Sequence, residues 1–170
     1  FGPGANAAIL EASKAFSKEL MKKYHIPTAQ YETFTDMEQA LAYIHRQGAP
    51  IVVKADGLAL GKGVVVASTV EEAEEAVRSM MQDHKFGKSG STVVIEECMV
   101  GPEVTVLAFC DGEHLVPMLS SQDHKRAYDG NQGPNTGGMG AFCPSPNYTP
   151  AIAAECMEKI FLPTVKAMQA

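Results

Sequence analysis

Two short runs of β-branched residues, separated by a glycine-bearing segment, most strongly constrain how this chain folds. The runs are Ile51–Lys54 and Val64–Ala67, and Asp56–Gly63 connects them. β-Branched residues favour strands, and clustered glycines favour turns. We therefore predict a β-hairpin with a long tip.

The pattern elsewhere predicts helices between the strands. Apolar residues at helical spacing favour one helix over Ala5–Tyr24, ended by Pro27. Three further helices are predicted from their start signals: a capping box at Thr35 and Glu38, a second at Thr69 and Glu72, and Thr149 before Pro150. We expect Pro163 to bend the last helix.

Further strands complete a predicted α/β (α+β) fold. They are expected over Thr92–Glu97, over Glu103–Cys110 and near His114–Leu119, with a tight turn at Asp111-Gly112 joining the last two. The polar, glycine-rich stretch Ser120–Ala141 is too long for a simple connection, and such loops are usually functional or disordered.

Composition excludes several classes of protein. The 170 residues are 45% apolar, enough for a real core, and the net charge of -6 argues against a duplex nucleic-acid binder. No apolar run approaches the ~20 residues of a membrane helix. The four cysteines are expected to be reduced thiols in a cytoplasmic protein, with two disulfides as the alternative. Because the chain opens on Phe1 and stops at Ala170 inside a helical pattern, we expect it to be part of something longer.

The segment Val52–Val66 is the first candidate site. It places Lys54 at a strand end and Lys62 among glycines, where backbone amides and ammonium groups are able to approach phosphate oxygens. The spacing fits neither a Walker loop nor a dinucleotide-binding fingerprint. A phosphate-covering hairpin remains, with a flexible surface loop as the alternative.

The segment Val93–Glu103 is the second candidate site. Glu96 and Glu97 follow an apolar run, so alternation sends one of them inward, where an unpaired carboxylate is costly. A hinge that recognises an adenine amino group and ribose hydroxyls would explain that placement. An edge strand whose glutamates are solvated or paired with lysine is the alternative.

The segment Ser121–Gly140 is the third and the most unusual. It contains His124, Lys125 and Arg126 in succession, followed by two glycine-rich turns. Basic groups beside turns with free amides suit a phosphate or carboxylate ligand, and would give this acidic chain a local positive site.

These segments, in this order, resemble the ATP-grasp superfamily and, within it, the phosphoribosylamine glycine ligase (glycinamide ribonucleotide synthetase) family. The resemblance rests on VVKADGLALGKGV, VIEE and QDHKRAYDGNQGPNTGGMGAF, with FGP and SKAF near the start, and it covers nearly the entire chain. The third stretch is specific for the ligase family, whereas the first two indicate only an ATP-grasp protein.

The resemblance implies a set of functional residues. Catalytic roles are implied for Lys54, Lys62 and Lys125. ATP contacts are implied for Lys14, Lys54, Asp56, Gly57, Gly61, Lys62, Gly63, Glu96, Glu97, Cys98, Val100, Glu103, Gln122, His124 and Lys125. Contacts to phosphoribosylamine or glycine are implied for Arg126, Asp129, Asn135, Thr136, Gly137 and Gly138.

The resemblance also implies the reaction and its organisation. ATP would phosphorylate glycine, and 5-phosphoribosylamine would capture the acyl phosphate, with Mg²⁺ or Mn²⁺ bound by ligands beyond Ala170. Residues 1–50 would be part of the central lobe, 51–120 the small lobe with its antiparallel strands, and 121–170 the start of the large lobe, with nucleotide between the lobes. We expect this piece to be inactive alone, and the intact protein to be a monomer that binds neither nucleic acid nor membrane. Another ATP-grasp carboxylate-amine ligase and a non-catalytic ATP-binding module remain as alternatives.

Overall fold

The computed structural model describes residues 2–57, 63–82 and 91–170. The helices are α1 (Ile9–Ala12), α2 (Lys14–Lys23), α3 (Met37–Gln47), α4 (Val70–Met81), α5 (Pro150–Cys156) and α6 (Leu162–Gln169), with a π-helical turn over Met157–Phe161. The strands are β1 (Tyr31–Phe34), β2 (Ile51–Ala55), β3 (Val64–Ala67), β4 (Val93–Glu97), β5 (Ala108–Cys110), β6 (Leu115–Pro117), β7 (Gln122–Asp123), β8 (Arg126–Tyr128), β9 (Gln132–Asn135) and β10 (Ala141–Phe142).

The chain forms two compact units. The first comprises the residues up to Lys23 together with Pro27–Met99, and the second comprises Tyr24–Ile26 and Val100–Ala170. The predicted lobe boundaries at residues 50 and 120 stay predictions. None of the helices in the described ranges is long and apolar enough to cross a membrane.

A four-stranded antiparallel sheet organises the first unit, in the order β1-β4-β2-β3. The predicted hairpin is confirmed, because β2 and β3 pair from Ile51 with Ala67 to Lys54 with Val64. Helices α3 and α4 cover one face of this sheet. The buried cluster between them includes Ile44, Val53 and Ile95, and burial of such side chains typically contributes about 1.5–3 kcal/mol each.

The helix starts follow the predictions at one position and differ at another. Thr69 Oγ1 accepts a hydrogen bond from the Glu72 amide at 3.2 Å, so the predicted cap of α4 is confirmed. The Glu72 carboxylate accepts from Ser68 N at 2.7 Å. The predicted cap at Thr35 is wrong, since Asp36 is the N-cap of α3 and accepts from Gln39 N at 2.9 Å. Both residues are favourable cap types, and the extended backbone at Asp36 decides between them.

The predicted single helix over Ala5–Tyr24 is wrong as well, because it is interrupted at Ser13. Ser13 is extended, with φ -136° and ψ 116°. Its hydroxyl accepts from Phe16 N at 3.0 Å, as an N-cap does, and donates to the Asp56 carboxylate at 3.1 Å. The interruption therefore arises from a partner 43 residues away.

The second unit consists of short hairpins and a terminal helix. The turn at Asp111-Gly112 is confirmed by the pairing of β5 with β6. The strand predicted over Glu103–Cys110 is shorter, with only an isolated bridge from Thr105 to Ser121 before β5. The stretch expected to be a loop, Ser120–Ala141, contains β7, β8 and β9.

The terminal helix begins as predicted and changes pitch near its proline. Thr149 Oγ1 accepts from Ile152 N, with Pro150 as the first helical residue. A π turn over Met157–Phe161 precedes α6, which carries Pro163 in its first turn. Proline has no backbone N–H to donate, so the regular hydrogen bonding of the helix is interrupted at Pro163. The π turn that precedes it accommodates this interruption.

Candidate functional site

Lys54 and Glu96 lie on the face of the sheet opposite α3 and α4. Their preceding neighbours, Val53 and Ile95, belong to the core, so alternation directs Lys54 and Glu96 away from it. Lys54 is paired with Val94 across the strands. Glu96 is therefore its diagonal neighbour, within reach of a long side chain.

The Glu96 carboxylate binds two ammonium groups through one oxygen. Lys54 Nζ lies 2.9 Å and Lys18 Nζ lies 3.3 Å from Glu96 Oε2. The side chains of Lys18 and Glu96 are 9% and 6% exposed, whereas that of Lys54 is 28% exposed. The prediction that one of the two glutamates turns inward is confirmed, because Glu96 is buried and Glu97 is exposed.

Lys18 is a member of this cluster that the sequence interpretation missed. Its ammonium donates to Thr28 Oγ1 at 2.7 Å and to the Ala29 carbonyl at 3.2 Å. The available signal was its spacing from Lys14, since residues four apart lie on the same face of a helix. We call Lys18, Lys54 and Glu96 the lysine–glutamate cluster.

Tyr31 borders this cluster from β1. Lys18 Nζ lies 5.1 Å from the centroid of its ring, in cation–π contact. Burial raises the pKa of Tyr31 above its usual value, and the hydrogen bond from its hydroxyl to Glu19 Oε1 at 2.8 Å raises it further. The phenol is therefore neutral at physiological pH.

The start of the hairpin tip is tied to the helix α2. The Asp56 carboxylate accepts from Ser13 Oγ at 3.1 Å and from Ala15 N at 3.0 Å. Lys14 Nζ donates to the Gly57 carbonyl at 2.8 Å, and Gly57 has a positive φ of 81°. The structure thus brings together the predicted residues Lys14, Asp56 and Gly57.

The far side of the tip is described only from Gly63 onward. The Gly63 carbonyl accepts from Ala55 N at 2.8 Å, which closes the hairpin. The predicted residues Gly61 and Lys62 lie outside the described residues.

The predicted hinge follows β4. Glu97 Oε1 accepts from Gln30 N at 3.0 Å, and Glu97 N donates to the Gln30 carbonyl at 2.9 Å. The carboxylate of Glu97 therefore holds the chain before β1. Cys98 is half-buried, and Val100 is 94% exposed. The predicted contacts of Glu97, Cys98 and Val100 to adenine stay predictions.

In the second unit, Gln122 is held in one orientation. Its Oε1 accepts from Ser145 Oγ and from Asn147 Nδ2, both at 3.2 Å. Ser145 is buried, and its amide donates to the Ser120 hydroxyl at 3.2 Å. The side-chain oxygen accepts two donors, and the amide nitrogen of Gln122 has no hydrogen-bond acceptor among the described residues, so it is able to donate to a ligand.

Lys125 lies between two carboxylates on the surface of the second unit. Its Nζ is 3.3 Å from Glu103 Oε2 and 3.8 Å from Asp123 Oδ1. The predicted residues Glu103 and Lys125 are thus brought together. The neighbouring His124 is exposed, and its ring lies 5.5 Å from that of Phe142.

The β8–β9 hairpin positions the predicted substrate residues. Arg126 donates to the Gly133 carbonyl at 2.6 Å, and Thr136 Oγ1 donates to the Lys125 carbonyl at 2.9 Å. The Gly138 amide donates to Thr136 Oγ1 at 3.1 Å. Asp129 and Gly137 are exposed, and Asn135 contributes its backbone to the pairing with Arg126.

Two surface concavities of the first unit lie elsewhere. One, of about 310 Å³, is lined by Glu71, Glu74, Glu75, Arg78 and Ser79 of α4. The other, of about 430 Å³, is lined by Thr35, Met37, Met81, Gln82 and Ser91. The first is predominantly acidic, which disfavours a phosphate there, and none of the described lining residues of the second is cationic.

The family follows from comparison with known proteins. The family model described as the phosphoribosylglycinamide synthetase, ATP-grasp (A) domain matches residues 12–170. The chain belongs to this family. Among phosphoribosylglycinamide synthetase relatives, a phosphoribosylamine–glycine ligase of Vibrio vulnificus strain YJ016 is 56% identical over 170 residues, covering 100% of this chain and 40% of the relative. The corresponding ligase of Escherichia coli strain K12 is 55% identical over the same coverage.

Solved structures agree on the ATP-grasp fold. The crystal structure of a phosphoribosylamine–glycine ligase from Thermotoga maritima matches with a TM-score of 0.85 and 35% identity, over 98% of this chain and 42% of that one. D-alanyl-alanine synthetase A from Vibrio cholerae matches with a TM-score of 0.70 and 18% identity, over 98% of this chain and 51% of that one, which shows the fold alone. The predicted fold class and family are therefore confirmed. The chain spans about 40% of the length of the curated relatives it matches.

Proposed function

We propose that the intact protein ligates glycine to 5-phosphoribosylamine, using ATP and forming a carbon–nitrogen bond. The products are glycinamide ribonucleotide, ADP and phosphate. The observation that carries this proposal is a sequence identity of 56%, over 170 aligned residues, to a ligase whose name contains these two substrates.

The first unit supplies groups suited to ATP. Lys54 makes one ion pair among the described residues, and its ammonium remains partly exposed. Lys14 donates to a neutral carbonyl at the glycine turn and makes no ion pair among the described residues. We assign both lysines to the phosphates, and Glu96 to Val100 to the adenosine. Lys62 is assigned to the hairpin tip that covers the phosphates.

The second unit supplies groups suited to the other ligands. Gln122, His124 and Lys125 are assigned to the nucleotide, and Glu103 to its ribose. Arg126, Asp129 and residues 135–138 are assigned to glycine and phosphoribosylamine.

The reaction needs alignment more than it needs a protein nucleophile. A glycine carboxylate oxygen attacks the γ-phosphorus, ADP leaves, and the amine of phosphoribosylamine then displaces phosphate from the glycyl carbon. Positioning and charge neutralisation account for much of the rate enhancement in such transfers. Lys54 and Lys14 neutralise charge on the transferring phosphoryl group, and Lys125 holds the adjacent carboxylates Glu103 and Asp123.

We assign Mg²⁺ or Mn²⁺ to the intact protein as the divalent cation. No group of three or more His, Cys, Asp or Glu side chains able to hold a metal occurs in the described ranges 2–57, 63–82 and 91–170. As the family resemblance implies, we propose that the ligands of the cation lie outside this chain. A cytoplasmic monomer is proposed for the intact protein.

The test is product formation by the intact protein. With ATP, glycine and 5-phosphoribosylamine, mass spectrometry should detect glycinamide ribonucleotide, with one ADP per product. Omitting either substrate should abolish the product. ATP binding without any ADP formation would instead support a non-catalytic module, and ADP formation with other amino acids but not glycine would support another ATP-grasp ligase.

A further inference from the structure

Lys18 is a buried cation whose hydrogen-bonding capacity is used within the protein. Two of its three N–H groups are donated to Thr28 Oγ1 and the Ala29 carbonyl, and its charge faces Glu96 Oε2 at 3.3 Å. Its side chain is 9% exposed. Lys18 is therefore not available to an external ligand.

Lys54 is in the opposite situation on the same carboxylate oxygen. It donates to Glu96 Oε2 at 2.9 Å and has no other hydrogen-bond partner among the described residues. Two N–H groups of its ammonium remain, and its side chain is 28% exposed. Lys54 thus has donor groups left for a ligand, whereas Lys18 is held within the protein.

Glu96 is a buried anion that needs a cation beside it, so it matters which of the two lysines is able to leave. A carboxylate with 6% exposure is strongly disfavoured without a counter-ion. If Lys54 were its only partner, moving that ammonium toward a phosphate would leave a buried, uncompensated charge. With Lys18 in place, Glu96 stays neutralised whether or not Lys54 is bound to it.

We propose that Lys18 is a positioning residue that releases Lys54 to bind the phosphates of ATP. Lys18 neutralises Glu96 and anchors it to Thr28 and Ala29 before β1. Glu96 in turn holds the ammonium of Lys54 in place until a more strongly charged anion competes for it. This inference rests on the proposed function, because it assumes that the anion bound by Lys54 is a nucleotide phosphate.

The test uses the intact protein with Lys18→Met, Lys18→Arg and a control, Lys22→Met. Lys22 is an exposed lysine on the same helix. For Lys18→Met we expect the dissociation constant and the KM for ATP to rise about tenfold or more, because a truncated buried charge pair leaves its partner unpaired. The KM for glycine should change by less than about threefold, because glycine makes no contact with the cluster in the proposed function. Lys22→Met should behave as wild type, and Lys18→Arg should recover most of the ATP affinity.

A second background separates charge balance from packing. In Glu96→Gln protein the buried negative charge is absent, so adding Lys18→Met should change ATP affinity by less than about threefold. The double variant also serves if Lys18→Met alone fails to fold. An equal loss of ATP affinity in both backgrounds would overturn the proposal. So would a lowered melting temperature for Lys18→Met with unchanged ATP affinity, which would make Lys18 purely structural.

The proposed function is tested separately in the same samples. ATP affinity is measured by calorimetry without glycine, and product formation by mass spectrometry. If wild-type protein binds ATP but makes no glycinamide ribonucleotide, the ligase assignment fails while the Lys18 result still stands. If wild-type protein binds no ATP, both fail.

Discussion

At the scale of single residues, two lysines one helical turn apart on α2 have different roles. Lys14 reaches the carbonyl of the glycine turn, whereas Lys18 is buried against Glu96. The sequence predicted Lys14 and Lys54 from motif, and from alternation it predicted that one of Glu96 and Glu97 turns inward. It did not reveal Lys18, because the partners of Lys18 come from two distant segments, Thr28–Ala29 and β4. Burial of that kind depends on tertiary contacts rather than local pattern.

Replacing Lys54 tests the phosphate contact. In the intact protein, Lys54→Ala should lower kcat/KM for glycinamide ribonucleotide formation by roughly 100-fold or more, as loss of a charge-stabilising group typically does. The fold should persist, because Lys18 remains paired with Glu96. Steady-state kinetics measures kcat/KM and a melting curve measures stability, with Lys22→Ala as the control for both. Unchanged turnover would remove Lys54 from the site.

Replacing Gln122 tests the orientation set by Ser145 and Asn147. Gln122→Glu keeps the shape but exchanges the remaining amide donor for an anionic oxygen. We expect the KM for ATP to rise roughly tenfold or more, because a hydrogen bond to a charged group is replaced by repulsion. Gln47→Glu, at an exposed position of α3, is the matched control. A selective rise in the KM for glycine would instead assign Gln122 to that substrate.

At the scale of helices and strands, the sequence predicted the features that depend on residues close together in the chain. The hairpin of β2 and β3 and the cap at Thr69 depend on neighbouring residues and were correct. The break at Ser13 was missed because its partner, Asp56, is distant in sequence. The strands inside Ser120–Ala141 were missed because glycine and polar residues dominate them. Long-range pairing overrides weak strand propensity there.

The cap of α3 distinguishes two adjacent residues. Asp36→Ala should destabilise the first turn by about 1 kcal/mol, whereas Thr35→Ala should stay within about 0.5 kcal/mol of wild type. Hydrogen exchange of amides in α3, followed by mass spectrometry, compares the two variants. If the α3 amides exchanged faster in Thr35→Ala than in Asp36→Ala, Thr35 and not Asp36 would be the N-cap.

The turn between β5 and β6 should depend on pH through Asp111. Its carboxylate accepts from His114 N at 2.7 Å and Glu113 N at 2.9 Å, and these bonds, with the His114 side chain, lower the pKa of Asp111. A depressed folded-state pKa stabilises the turn above the unfolded value of about 3.9, and this stabilisation is lost as pH falls through the folded value.

Comparison of wild type with Asp111→Ala measures this dependence. At pH 7 the amides of residues 108–117 should exchange more slowly in wild type than in Asp111→Ala. This difference should shrink once the pH falls below about 4. Glu113→Ala keeps the amide that donates to Asp111 and should leave protection unchanged. If the protection of wild type relative to Asp111→Ala increased as the pH fell, the pKa of Asp111 would be raised in the folded protein, contrary to the direction given above.

At the scale of the whole molecule, the lysine–glutamate cluster is a local excess of positive charge in an acidic chain. The net charge is -6, yet the lysine–glutamate cluster has two ammonium groups for one carboxylate, with Lys14 bound to the nearby hairpin tip. Motif order alone indicated the family, and the match over residues 12–170 confirms it. The sequence located Lys54 and Glu96, but not Lys18 or the pairing that leaves Lys54 as the more exposed cation of the cluster.

The central proposal is that the intact protein transfers a phosphoryl group from ATP to the carboxylate of glycine. Glycine labelled with ¹⁸O in its carboxylate, supplied to the intact protein with ATP and 5-phosphoribosylamine, tests the claim directly. One labelled oxygen should pass to inorganic phosphate and the other should remain in the amide product, as ³¹P NMR and mass spectrometry detect. Unlabelled phosphate, or label in AMP, would contradict the account.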